Sequence, residues 1–231
     1  ARRGHYIQRP VTAMVQSRLQ PGASDDARNR DLKTSDGWKR PCAAWVLAVC
    51  AALPVSAIAD AGDWSVGAYA GKYHDTEPAG LINGKTRFLE HYLVALTASK
   101  TLWRSSSMPL SLEIDGMLGQ QSGLVNLTEI AVAPALRWGG FPWRETLQTD
   151  LRLAPLGISY TSTVSPLERG PDGRGSRMLN YLFIEVALSK PQAQSDEWFL
   201  RIHHRCAIYD LLNQYGANGE DFLTVGYRVR F

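Results

Sequence analysis

The chain has 231 residues, 45% of them hydrophobic and 20% charged, with three cysteines and a formal net charge of +3. That length suits one domain or two small ones, and the apolar content excludes a disordered, collagenous or disulfide-stapled class. The basic balance invites a nucleic-acid or anionic-membrane partner, but residues up to Ala59 carry nine of the 25 Lys/Arg and only four of the 22 Asp/Glu. The remainder of the chain, from Asp60 onward, is net acidic by two, so the nucleic-acid reading falls away.

Residues 1–38 are polar and aperiodic and contain Pro-Gly and Asn-Arg-Asp clusters, the composition of a disordered extension or an over-extended start. Lys39-Arg40, the apolar run Cys42 to Leu53, Pro54 and Ala57-Ile58-Ala59 then supply a positive n-region, a short h-region and a small-residue cleavage site, the pattern of a secretory signal peptide over residues 39–59. The apolar run is shorter than the roughly 20 residues of a spanning helix. A lipoprotein cysteine at Cys50 is the weaker alternative, with half an h-region before it and Val49 where a small residue is wanted. The exported domain is expected over residues 60–231. Cys206 is then its one cysteine, which excludes an intramolecular disulfide even in an oxidising compartment.

Alternating segments recur through that domain, each about nine to eleven residues long, the length of a tilted membrane-spanning strand. They run approximately from Trp64 to Tyr73, Arg87 to Ala98, Pro109 to Leu118, Leu127 to Trp138, Leu147 to Tyr160, Met178 to Ser189, Trp198 to Ala207 and Asp221 to Phe231. In the last, Leu223, Val225, Tyr227, Val229 and Phe231 share one face, and Thr224, Gly226, Arg228 and Arg230 share the other. The expected fold is all-β, an eight-stranded antiparallel outer-membrane β-barrel. The terminal Tyr-Arg-Val-Arg-Phe strand, tryptophans 64, 103, 138, 143 and 198 at segment ends, and the alternation of long and short connections favour that solution. Arginines 228 and 230 on an inward face disfavour the alternative, a soluble lipocalin-like barrel or sandwich. A small membrane barrel fills its interior with side chains, so no open pore is expected.

The seventh segment carries chemistry. By parity Leu200, Ile202, His204 and Cys206 point to the lipid face, and Arg201, His203 and Arg205 point inward. Ionisable groups at membrane depth are functional candidates, and an imidazole two residues from a thiol can take its proton. The eighth segment begins beside the same end, with Asp221 on the lipid face by the same parity and Glu220 inward. An acid there would orient the imidazole, the logic of a catalytic triad. Parity depends on where the strand starts, and both carboxylates stay open as the acid. His203 reads as an interior polar residue, and His74 and His91 as a loop and a strand residue without partners. His203 and His204 face opposite ways and cannot share a metal ion.

A small exported barrel with a His-x-nucleophile pair ending its penultimate strand, an acid opening the last strand and a C-terminal aromatic resembles the PagL-type lipid A 3-O-deacylases of Gram-negative outer membranes. The architectural resemblance spans the exported domain. The motif resemblance is confined to Ile202–Ala207 and Glu220–Phe231. It implies ester hydrolysis at the 3-position of lipid A in the outer leaflet, without metal or cofactor, with His204 as base, Cys206 in the serine position and Asp221 or Glu220 as acid. It further implies lipopolysaccharide and the outer membrane as partners, with a monomer and a homodimer both open. Arg205, Arg169 and Arg174 are candidates for lipid A phosphates on charge alone. Two departures stand out: Cys206 replaces the family's serine, and Ala207 replaces an asparagine associated with its oxyanion site. A structural or lipid-sensing barrel without catalysis is the rival reading.

Overall fold

The computed structural model describes residues 63–75, 84, 86–208 and 219–231. The expected extension, signal peptide and cleavage site lie outside the described residues. The strands are β1 (Trp64–His74), β2 (Phe88–Arg104), β3 (Leu110–Ser122), β4 (Leu127–Trp138), β5 (Gln148–Ala154), β6 (Ile158–Thr161), β7 (Met178–Lys190), β8 (Ala193–Cys206) and β9 (Glu220–Arg230). All pairings are antiparallel. β5 and β6 occupy successive stretches of one position between β4 and β7, so nine segments make eight barrel strands. β1 pairs with β9 from Ser65↔Arg230 to His74↔Asp221 and closes the ring. Trp64 and Phe231 exchange backbone hydrogen bonds of 3.0 and 2.9 Å at the seam.

The fifth expected segment is therefore one barrel strand broken at Pro155–Gly157. Pro155 has no N–H to give the ladder. At Gly157 a Cβ would fall 2.6 Å from Ala133 Cβ and 2.7 Å from Tyr181 O, so only glycine lets the wall pass there. Several strands also run longer than the apolar alternation suggests, β2 reaching 17 residues. The hydrogen-bonded ladder outlasts the roughly nine to eleven residues that hydrocarbon covers and continues into water.

The barrel is inverted relative to a water-soluble fold. Ile130 and Val225, on the outer face, are 58% and 57% exposed, whereas Arg152, Arg201, Asp115 and Glu185 are wholly buried inside. An apolar exterior around a charged interior is the arrangement of a barrel whose outer solvent is hydrocarbon. These five tryptophans gather at the end where Trp64 meets Phe231, and there the Trp138, Phe141 and Trp143 rings pack at centroid distances of 4.7 and 5.0 Å. Phe88, Tyr92 and Tyr160 stand exposed toward the opposite end.

The interior is filled by paired charges. Arg152 donates to Glu113 Oε2 (2.8 Å), Glu185 Oε1 (2.9 Å) and Asp115 Oδ2 (3.0 Å). Arg201 donates to Glu185 Oε2 at 2.7 Å and lies 4.0 Å over the Phe183 ring. Arg228 joins Glu185 to Glu197, and Arg137 joins Glu197 to Asp150. Each guanidinium spans carboxylates from different strands and so ties the walls together across the lumen. Removing one partner of a buried pair leaves an uncompensated charge, which costs about 3–5 kcal/mol. Arg201→Ala is expected to lower markedly the temperature at which the folded band is lost in heat-modifiable gel mobility, while the outward Val225→Leu leaves it unchanged.

Candidate active site

β8 and β9 run through the barrel wall side by side, and their register decides which outward residues meet. His204 lies opposite Asp221 on β9 and Leu182 on β7, and Cys206 lies opposite Asn180 on β7. Directly opposed residues hold their Cβ atoms about 4.5–5.5 Å apart, within reach of side-chain hydrogen bonds. His204 Nδ1 is 2.6 Å from Asp221 Oδ1. Cys206 lies two residues further along β8 on the same outward face as that imidazole. With Nδ1 held by the carboxylate, Nε2 is the nitrogen left for the thiol proton. The His204 and Asp221 side chains are 23% and 15% exposed, and the free thiol is half-buried. Water-poor surroundings strengthen the electrostatic coupling among the three.

The inward residues at this end have a separate role. Glu220 is fully buried inside the barrel, 3.8 Å from Arg205 Nη1, on the opposite face of the sheet from His204. Of the two candidate acids, the structure therefore brings Asp221 to the imidazole and keeps Glu220 away. Arg205 is fully buried too, and donates to Ser159 Oγ (2.9 Å) and Glu168 Oε1 (2.5 Å). That corrects the expectation that it holds a lipid phosphate: it points into the lumen and anchors the connection between β6 and β7. Burial, reinforced by the neighbouring Glu220 charge, pushes the Glu168 carboxyl well above the usual carboxylate range. His203 lies inside, its Nδ1 3.2 Å from the Tyr69 hydroxyl and its Nε2 3.2 Å from Glu129 Oε1. His74 is a buried strand residue rather than a loop residue, and His91 has partners in Ser122 O (3.0 Å) and Gln121 Oε1 (3.1 Å). Arg169 and Arg174 are engaged within their own loop, by Gly173 O and Asp172.

Three residues that sequence reasoning passed over stand at this site. Asn180 Nδ2 approaches Cys206 Sγ at 3.8 Å, and its only sequence signal is a polar residue on the outward parity of β7. Ile208, two residues after Cys206, has φ 49°, left-handed backbone that a β-branched side chain rarely adopts. Arg177, exposed at the rim, stacks on the outward Tyr160 ring at 4.6 Å while its Nε donates to Thr161 O.

No family model matches the chain, and no curated protein matches it. Among solved structures the chain is similar to the outer membrane enzyme PagL, with a TM-score of 0.51 and 16% identity, covering 72% of this chain and 99% of that one. It is also similar to Neisserial surface protein A, with a TM-score of 0.44, 12% identity and coverage of 75% and 100%. The Yersinia pestis protein Ail follows with a TM-score of 0.37, 11% identity and coverage of 72% and 99%. At these identities the likeness carries the barrel fold alone.

A thiol that can hand its proton to an imidazole alkylates faster than an isolated one. Iodoacetamide labelling, followed by mass spectrometry of the peptide that carries Cys206, is expected to slow about tenfold at neutral pH in His204→Ala. Glu220→Gln is expected to leave the rate within twofold or so of the parent, because its carboxylate faces the lumen.

Proposed function

We propose that the protein is an outer-membrane hydrolase that removes the ester-linked 3-position acyl chain of lipid A. One observation carries this reading: a carboxylate hydrogen-bonded to an imidazole stands with a thiol on the same apolar, outward face of the barrel, near the end of β8. Polar and ionisable groups on that face are costly, and the interior network holds the barrel without them. A substrate ester embedded in the surrounding leaflet meets the thiol without leaving the membrane.

In the proposed reaction His204 takes the Cys206 proton as sulfur attacks the ester carbonyl, and Asp221 holds the ring and stabilises its cation. The tetrahedral adduct collapses with return of that proton to the departing sugar alkoxide. Water, deprotonated by the same imidazole, then releases the fatty acid from the thioester. Arg177, at the rim above the site, is placed to meet an anionic head group. The resemblance to PagL-type deacylases and the likeness to the PagL structure support the same assignment. Cys206 and Ala207 depart from the family pattern and favour, as the second reading, a barrel that binds lipid without hydrolysing it.

Lipid A from outer membranes of cells expressing the chain is expected, by mass spectrometry, to lack one hydroxyacyl group, and the loss should vanish in His204→Ala and Cys206→Ala. Asp221→Asn should cut the conversion rate by about 10²–10⁴-fold, because the imidazole loses its orienting charge, while Glu220→Gln retains it. Unchanged lipid A in every strain assigns the barrel to the second reading.

A further inference from the structure

The triad alone offers no side chain to the negative charge that develops on the substrate oxygen. The family's asparagine after the nucleophile is Ala207 here. A buried carboxamide reaches the nucleophile instead from the adjacent strand. Asn180 is 2% exposed although it lies on the outward parity of β7, because the broken stretch at Pro155–Gly157 covers it. Its Oδ1 accepts from Gly157 N (3.1 Å), and its Nδ2 donates to Pro155 O (3.4 Å) and to Cys206 Sγ (3.8 Å). Those partners fix which end of the amide is which, since the Gly157 N–H requires an oxygen and the Pro155 carbonyl requires an N–H. One Nδ2 proton is thereby aimed at the reacting sulfur by a group that cannot flip without losing both anchors. Ile208, two residues after the nucleophile, has φ 49°, and left-handed backbone at a β-branched residue is the kind of strain that clusters at functional sites.

We infer that Asn180 Nδ2 supplies the oxyanion site of this enzyme, recruited from the neighbouring strand through the break in the barrel wall. The inference rests on the proposed acyl transfer. When Sγ bonds to the ester carbon, the carbonyl π pair moves onto the oxygen. On collapse that pair re-forms the double bond and the alkoxide departs with the proton held by His204. A donor 3.8 Å from sulfur leaves room for that oxygen at the ordinary N–H···O distance of about 2.9 Å. The break in the wall and the donor are then one device: Pro155 and Gly157 provide the two anchors that orient the amide.

The test compares two reactions of the same thiol in the full chain, reconstituted in detergent micelles. Hydrolysis of p-nitrophenyl decanoate passes through an oxyanion; alkylation by iodoacetamide, read at its high-pH plateau where thiol acidity drops out, does not. For Asn180→Ala, kcat is expected to fall about 10²–10³-fold with KM little changed, while the plateau alkylation rate stays within about threefold of the parent. Should Asn180→Ala lose its folded gel mobility, Asn180→Asp answers the same question, because it keeps an acceptor for Gly157 N and lacks the donor. Unchanged hydrolysis in an active parent overturns the inference and leaves the triad standing, and so does a parallel fall of hydrolysis and alkylation, which makes Asn180 a purely structural residue. A parent chain that hydrolyses no more ester than Cys206→Ala overturns the proposed function itself, and the oxyanion site with it.

Discussion

Arg152 and Arg201 are wholly buried among Glu113, Asp115 and Glu185, each bonded to carboxylates from other strands. A one-residue slip of any strand would turn these charges outward into hydrocarbon and bring apolar side chains into the lumen. The ion-pair lattice and the closed ring therefore lock each other. The lattice supplies the register, and the ring, which has no free edge, lets every backbone group find a partner in a solvent that offers none. Packing reinforces the same register. At Gly226 a Cβ would fall 2.3 Å from Phe199 Cζ, so the strand that bears Arg228 can lie against Phe199 only through glycine.

With register settled from the inside, the outer face has no structural demand except to be apolar. This is why His204, Cys206 and Asp221 stand out there, and why adjacent inward residues of similar chemistry do not belong with them. His203 and Glu220 differ from His204 and Asp221 by one position in the chain and by the thickness of the sheet in space. The inward pair serves the lumen's charge balance, whereas the outward pair shares its face with a nucleophile two residues along β8. Arg205, between them, holds the β6–β7 connection against the barrel mouth through Glu168.

Much of this was legible in the sequence because a barrel wall writes its geometry with period two. Leu223, Val225 and Tyr227 against Thr224, Gly226 and Arg228 state the two faces of β9 directly, and the same parity places His204, Cys206 and Asp221 outside. Parity also pointed Glu220 inward, but only the β8–β9 register decides between the carboxylates, because a shift of one residue would exchange them. The interruption at Pro155–Gly157 was hidden inside a segment that otherwise alternates. Asn180 was not legible at all. Its importance comes from a residue 26 positions away on the next strand and from an amide orientation set by a break in a third. Parity pointed Arg205 inward, but charge alone offered it to a lipid phosphate, for want of any local sign that Glu168, in a loop 37 positions earlier, would reach it.

The strands that build the site are also the ones the chain brings together most cheaply. β7 and β8 are joined by a turn at residues 191 and 192, and β9 follows β8 after one connection. The β1–β9 seam, by contrast, joins residues as far apart as Ser65 and Arg230. Loop-closure entropy grows with the length of chain enclosed, and long-range strand pairing is correspondingly slow. The contacts among Asn180, His204, Cys206 and Asp221 belong to a three-strand meander of low contact order, and they need no contribution from the seam. Ring closure thus governs how long the nascent barrel exposes an unpaired edge, while the chemistry of the site is encoded in a contiguous stretch that can pair early.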